Sequence, residues 1–104
     1  MDVLVNATTL VKGGGIQVAT SFVVEAEKAA VSDIRWHYLL SKQVAAELSI
    51  LGVSPSRVHV LDGSPARNKI CRQQILELEQ QISPDVVFSV FGPAFLKFGS
   101  PHLL

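Results

Sequence analysis

Four apolar segments alternate with amphipathic segments along the chain. Runs rich in β-branched and aromatic residues predict strands at Asp2–Ala7, Ile34–Leu40, Arg57–Asp62 and from Asp85 onward. Between these runs, apolar residues recur every three or four positions, which is typical of a helix with one buried face. Strands that alternate with helices through short connections pair in parallel, with right-handed crossovers. The pattern predicts an α/β fold: a Rossmann-like open parallel sheet of about four strands, in the order 3-2-1-4, with flanking helices.

Turn and capping residues predict where the helices begin and end. The second helix begins after Ser41 as its N-cap and ends at Gly52 in a left-handed conformation. The third begins with Ser64 as N-cap and Pro65 at its first position, and ends before Pro84. The apolar stripes predicted to be buried are Ile16, Ala19, Val23, Ala26 and Ala30 in the first helix, Val44, Ala45, Leu48 and Leu51 in the second, and Cys71, Ile75, Leu78 and Ile82 in the third.

The predicted strand order leaves the fourth strand at an edge of the sheet. Its sequence, VVFSVF, is almost uniformly apolar, as in strands that a parallel sheet buries on both faces. After Phe91 the sequence changes to GPAFLKFGSPHLL, in which glycines and prolines break any long element. We therefore expect residues 1–104 to be one partial domain, the first part of a longer protein. We also expect self-association through the fourth-strand edge or by exchange of the C-terminal segment.

Composition limits the classes of function. Nine Lys plus Arg balance nine Asp plus Glu, and 48% of the 104 residues are hydrophobic. This balance gives no overall field that attracts nucleic acid, and no apolar segment reaches the ~20 residues of a membrane-spanning helix. The single cysteine, Cys71, cannot form an internal disulfide, and the N-terminus shows no signal-peptide pattern, so we expect a cytoplasmic protein. No His, Cys or carboxylate cluster has metal-ligand spacing, so we expect no metal and no cofactor.

Three consecutive glycines, Gly13–Gly15, stand between the first strand and the first helix. In open α/β sheets, ligands bind at the carboxyl ends of the strands where the strand order reverses, which here is between strands one and four. The loop after strand four, FGPAF, also contains glycine, so two such loops would meet at one crevice. Glycines let a ligand approach the main chain, and the free amides of a helix start favour anions such as phosphate. Alternatively, the glycines serve only chain reversal and close packing of the helix on the sheet.

The sequence lacks two well-known phosphate motifs. A Walker loop requires Lys and then Ser or Thr after its last glycine, where this chain has Ile16 and Gln17. The dinucleotide fingerprint requires a small residue at Val18 and an acid after strand two, where Ser41 and Lys42 stand. A nicotinamide enzyme is therefore only a distant alternative. A response-regulator receiver is disfavoured because strand one ends in VNAT rather than in paired acids.

Three segments resemble the N-terminal, acceptor-side domain of a two-domain retaining glycosyltransferase of family 4 (group 1 type), a family with the GT-B fold that includes many bacterial polysaccharide-assembly enzymes. The segments are LVNATTLVKGGGIQVA, PDVVFSVFGPAF and SPHLL, which together extend from one end of the chain to the other. In such enzymes two Rossmann-like domains face each other across a cleft. The second binds the nucleotide-sugar, while the first mainly binds the acceptor and closes over the donor's diphosphate and sugar.

The resemblance implies an activity and its partners. A hexosyl group would move from a nucleotide-sugar to a glycan or lipid-linked acceptor, with departure of the diphosphate and retention at the anomeric carbon. The full-length protein would be cytoplasmic, with a place at the inner face of the membrane. The chain has no second domain and no acidic signature, so we expect that it does not transfer sugar by itself. The alternative from another class is a free-standing α/β ligand-binding or assembly module without catalysis.

The resemblance also implies where substrates bind, although it identifies no catalytic residue in this chain. His102 would face the donor sugar, and the alternative for this residue is exposure to solvent near the end of the chain. His37 and His59 lie within predicted strands and are expected to be structural. The substrate-binding residues that the resemblance implies are Gly13, Gly14 and Gly15 under the diphosphate or acceptor, Thr8, Thr9 and Gln17 beside them, Phe91, Gly92 and Pro93 on the opposite lip, and His102.

Overall fold

A computed structural model describes residues 1–8, 14–29, 33–62, 68–90 and 98–103. These ranges contain five strands and three helices in alternation, except that two strands end the series. No helix within the described ranges is both long enough and apolar enough to span a membrane. The elements are β1 (Asp2–Ala7), α1 (Gly14–Ala29), β2 (Arg35–Ser41), α2 (Lys42–Ile50), β3 (Val58–Leu61), α3 (Lys69–Ile82), β4 (Val86–Ser89) and β5 (His102–Leu103).

All strands pair in parallel in one sheet, in the order β3-β2-β1-β4-β5. The predicted α/β class and the order of the first four strands are confirmed. The predicted boundaries differ from the observed ones by a residue at the ends of several strands. The register pairs Val3 with Val86 and Asn6 with Ser89 across β1 and β4, so the carboxyl ends of these two strands lie side by side.

β5 corrects the expectation that the fourth strand is an edge strand. Val87 pairs with His102 and Phe88 with Leu103, and the Val87 N–H donates to the Pro101 carbonyl oxygen over 2.8 Å. The apolar sequence of β4 is therefore accounted for, since it has a neighbour on both sides. The sequence pattern missed β5 because two residues after a proline form no apolar run that periodicity can detect.

Each face of the sheet packs against its own helices. Val3, Val5 and Ala7 of β1 point to the face that α1 and α2 cover, while Leu4 points to the face that α3 covers. Most of the helix residues predicted to be buried are buried or partly buried. The buried ones are Ala19, Val23, Ala26, Val44, Leu48, Cys71 and Ile75. Those partly buried against these two cores are Ile16, Ala45, Leu78 and Ile82.

Leu51 was predicted to be buried and is 58% exposed, because it is the C-cap residue of α2 and lies beyond the last turn that packs on the sheet. Ala30 lies outside the described residues. Burial of Cys71 raises the pKa of its thiol, as expected for a small core residue.

The caps of α2 agree with prediction, whereas the cap of α3 does not. Ser41 accepts the N–H of Val44 at 3.3 Å, and Gly52 adopts φ +73°, where a side chain would be strained. The N-cap of α3 is Asn68, whose Oδ1 accepts the N–H groups of Ile70 and Cys71.

The predicted cap and first position of α3, Ser64 and Pro65, lie outside the described residues. Serine and asparagine are equally good N-caps. The residues SPAR, which begin at Ser64, indicated the earlier of two possible caps, and the observed cap is Asn68, four residues later.

Candidate functional site

Polar side chains interrupt the apolar core at the carboxyl ends of β1 and β4. On the α3 face, Leu4 is followed by Asn6 and Val87 by Ser89, and Asn6 and Ser89 are register partners. Asn6, Ser89 and the neighbouring Thr8 are each at most 2% exposed. We call Asn6, Thr8, Ser89 and His102 the polar cluster. It lies beside the point where the strand order reverses, which is the usual place for a ligand in this fold.

A continuous line of hydrogen bonds joins the polar cluster. The hydroxyl of Thr8 donates to Asn6 Oδ1 at 2.6 Å, and the backbone N–H of Thr8 reaches the same oxygen at 3.3 Å. Asn6 Nδ2 donates to Ser89 Oγ at 3.2 Å. Ser89 Oγ lies 2.6 Å from His102 Nε2. The end of β1 is thereby linked through β4 to β5, and each buried polar group has a partner, as burial requires.

His102 is held by a contact of its ring and by the anchoring of the backbone that precedes it. Its ring meets the ring of Phe98 edge-on, with centroids 4.8 Å apart and planes at 72°. The backbone before β5 is held by Glu79 of α3, whose carboxylate accepts the N–H of Gly99 at 3.1 Å and of Ser100 at 2.8 Å. His102 is therefore only partly exposed, which contradicts the alternative that it is a solvated residue in a free terminal segment.

Glu79 is a buried acid, 6% exposed, in a helix stripe that is otherwise apolar. Burial by itself raises the pKa of this carboxyl group. The hydrogen bonds from Ser100 and Gly99, together with the nearby imidazole of His102, outweigh that effect and bring the pKa below its usual value of 4.5. Glu79 is consequently an ionised anchor for the segment that leads into β5.

The described glycines of the Gly13–Gly15 segment form the start of α1. Gly14 is its first residue and is exposed, and a Cβ built on it would meet nothing within 4 Å. The first N–H groups of an α-helix have no partner within the helix, so this end suits an anion. Gln17 is exposed in the same first turn.

The other residues implied by the resemblance fall in two groups. Thr8 and His102 belong to the polar cluster. Thr9, Gly13, Phe91, Gly92 and Pro93 lie outside the described residues. The role of all these residues in substrate binding stays a prediction.

Asn6, Ser89 and Glu79 were not predicted as functional residues, although each had a signal in the sequence. Asn6 and Ser89 are polar residues within strands whose other interior positions are apolar, DVLVNA and VVFS. Glu79 follows Cys71 and Ile75 at intervals of four, which places it on the buried stripe. A polar residue at a position that the pattern predicts to be buried usually has a specific partner.

A second polar group occupies the opposite end of the sheet. Asp2 accepts from Arg35 and contacts His37 Nε2, each at 2.9 Å, and its own N–H donates to Asp85. The His37 hydrogen bond and the Arg35 guanidinium lower the pKa of Asp2, in spite of some desolvation. The contact with Asp2 agrees with the structural role expected for His37. This group lies at the amino ends of the strands, away from the usual ligand edge.

Two of the grooves in the described ranges are lined by residues of α3. One groove of about 580 Å³ lies between β3 and α3 and includes His59, at the other edge of the sheet from the polar cluster. A second, of about 400 Å³, lies beside Glu79 and Ser100. Among the described residues, no three His, Cys, Asp or Glu side chains are grouped so as to hold a metal ion.

Comparison with known proteins gives no match to this chain. No protein-family model matches it, and no curated protein or solved structure is significantly similar. The assignment of the α/β fold therefore rests on the sheet order and on the helices that cover its two faces.

Proposed function

We propose that this chain is the acceptor-side Rossmann-like domain of a retaining glycosyltransferase, which moves a hexosyl group from a nucleotide-sugar to a glycan or lipid-linked acceptor. The observation that carries the proposal is the polar cluster at the carboxyl ends of β1, β4 and β5, which brings Thr8 and His102 into one hydrogen-bonded group. The three segments that resemble this family contribute these same strand ends.

The chemistry of the polar cluster suits a sugar substrate. Its imidazole, His102, is the one partly exposed side chain of the polar cluster, and it can exchange a hydrogen bond with a sugar hydroxyl. The buried amide and the two buried hydroxyls carry no negative charge that would repel a diphosphate. The nearest described acid, Glu79, already accepts two backbone N–H groups with its carboxylate oxygens. The exposed start of α1 at Gly14 adds main-chain donors suited to a phosphate.

A transfer assay with radiolabelled nucleotide-sugars tests the proposal. Residues 1–104 alone should give no turnover, because the second domain would supply most groups that stabilise the leaving diphosphate. The protein made from the whole reading frame should transfer label to a glycan or lipid-linked acceptor. His102→Ala should reduce that transfer at least about tenfold, as the loss of one well-placed polar contact commonly does. His59→Ala, a histidine in the groove beside α3, is the matched control and should leave the rate unchanged.

Three results would contradict the proposal. One is turnover by the isolated chain, and another is transfer that His102→Ala does not affect. The third is saturable binding of glycans by the whole protein with no transfer from any nucleotide-sugar, which would favour a non-catalytic α/β binding module.

A further inference from the structure

The hydrogen bonds of the polar cluster have one direction in which every donor faces an acceptor among the described residues. A backbone N–H can only donate, so the Asn6 atom that faces the Thr8 N–H must be the amide oxygen. The other end of the Asn6 amide, Nδ2, then faces Ser89 Oγ and can only donate to it. Ser89 Oγ accepts this bond, which leaves its own hydrogen for His102 Nε2 at 2.6 Å.

This direction determines which ring nitrogen of a neutral His102 carries the proton. A ring nitrogen that accepts a hydrogen bond carries no proton, so a neutral imidazole that accepts at Nε2 is protonated at Nδ1. If His102 instead donated from Nε2, the hydrogen of the Ser89 hydroxyl would need a different acceptor. Ser89 is only 1% exposed, so water is not at hand to accept it. A buried hydroxyl left without an acceptor is costly, so the first arrangement is favoured.

We propose that Asn6 and Ser89 are positioning residues that hold His102 as the neutral tautomer protonated at Nδ1. His102 would then meet the nucleotide-sugar as a hydrogen-bond donor, through the ring nitrogen that Ser89 does not occupy. The ligand in this statement rests on the function proposed above, whereas the tautomer rests on the hydrogen bonds alone. Asn6 acts through Ser89, and the Thr8 hydroxyl and N–H set the orientation of the Asn6 amide.

Nitrogen-15 NMR of the histidine rings in the 104-residue chain at pH 7 measures the tautomer directly, because protonated and unprotonated ring nitrogens resonate far apart. The expected result is an unprotonated Nε2 and a protonated Nδ1 in His102, in at least about tenfold excess over the other tautomer. A dominant Nε2–H form, or an imidazolium held by Glu79, would overturn the proposal. This measurement needs no variant.

Asn6→Asp provides a second test that a purely structural role would not predict. An ionised carboxylate accepts from Thr8 as before but cannot donate to Ser89, so the Ser89 hydroxyl must turn and donate to it. Ser89 Oγ can then only accept from His102, and the ring should change to a form protonated at Nε2. Ser89→Ala should remove the strong preference for either nitrogen.

Asn68→Asp is the matched control, because Asn68 Oδ1 only accepts hydrogen bonds and the same chemical change preserves them. The His102 tautomer should not change in this variant. A folded Asn6→Asp chain with the wild-type tautomer would also overturn the proposal. If that variant does not fold, the wild-type spectrum and Ser89→Ala decide the question.

Addition of UDP-glucose to the labelled protein made from the whole reading frame, which would include the donor-binding domain, separates this inference from the proposed function. A shift of the His102 Nδ1–H resonance is expected if the ligand accepts from this atom. The Nδ1–H tautomer without any response to UDP-glucose would support the positioning role of Asn6 and Ser89 and would contradict the role of His102 in donor binding.

Discussion

Buried polar residues give this small domain its most specific contacts at the residue scale. Asn6 and Ser89 take positions in β1 and β4 that an apolar residue could fill, and Glu79 does the same in α3. Burial of a polar group costs free energy unless partners replace water, and all three have such partners. These partners belong to segments distant in sequence, which is why the pattern of single residues did not reveal them.

Glu79 makes stability depend on pH on the acid side. Its pKa is lower in the folded chain than its usual 4.5, so its contribution is complete above that value and is lost as the pH falls through the folded value. Glu79→Gln should reduce the free energy of unfolding at pH 7 by about 1–3 kcal/mol, since a neutral amide cannot accept both N–H groups equally well. Urea denaturation measures the free energy of unfolding at pH 7 and at pH 3. The difference between these two free energies should be smaller for Glu79→Gln than for the wild type.

Glu77→Gln is the control for this experiment, because Glu77 is exposed on the same helix. Glu77→Gln should change neither the free energy of unfolding at pH 7 nor the difference between pH 7 and pH 3. Some acid dependence should persist in Glu79→Gln, since the pKa of Asp2 is also lowered on folding. If Glu79→Gln kept the whole wild-type difference between the two pH values, Glu79 would not be the ionised anchor described above.

Gly14 allows the fold and the ligand role of the glycines to be tested separately. An alanine Cβ would meet nothing within 4 Å, so Gly14→Ala should leave the fold intact and stabilise it by no more than about 1 kcal/mol. If a phosphate approaches the main chain here, the added methyl group should weaken UDP-glucose binding to the protein made from the whole reading frame, as measured by calorimetry. Ser21→Ala, an exposed site later in α1, should bind as the wild type does. A lower thermal midpoint or unchanged affinity for Gly14→Ala would contradict this account.

At the scale of elements, the sequence predicted a strand or a helix end correctly where the apolar run was long or where a turn required a particular residue type. β1 was predicted with its observed bounds, because β-branched residues buried on both faces leave few alternatives. Gly52 ended α2 as predicted, because its φ of +73° favours glycine. β5 could not be predicted, because its two residues form no apolar run and the Glu79 contacts with Gly99 and Ser100 that precede it join segments distant in sequence.

The start of α3 is decided by its cap, and the two candidate caps can be compared directly. Asn68→Ala should destabilise the chain by about 1 kcal/mol, because the N–H groups of Ile70 and Cys71 lose their acceptor. Asn68→Asp should retain the stability, and Ser64→Ala should change it by less than about 0.5 kcal/mol. Equilibrium denaturation measures all three. A larger loss of stability for Ser64→Ala than for Asn68→Ala would instead favour Ser64 as the N-cap, as predicted from the sequence.

At the scale of the whole molecule, β5 changes the expected route of self-association. Direct pairing of two β4 edges would require β5 to leave Val87 and Phe88. Exchange of the C-terminal segment between two copies would preserve these pairs and the contacts of Glu79 with Gly99 and Ser100, so it is the route that costs fewer contacts. Sedimentation should show a dimer whose fraction increases with concentration. A monomer at high concentration would contradict the prediction of self-association.

The proposed function requires that substrate bind at the carboxyl ends of β1 and β4 and at His102 of β5, beside the start of α1. Titration of the nitrogen-15-labelled protein made from the whole reading frame with UDP-glucose, followed by the backbone amide resonances, tests this most directly. The largest shifts are expected at Thr8, Gly14, Gly15 and His102. Shifts confined to the groove between β3 and α3 or to the surroundings of Asp2, or no shift at any amide, would contradict it.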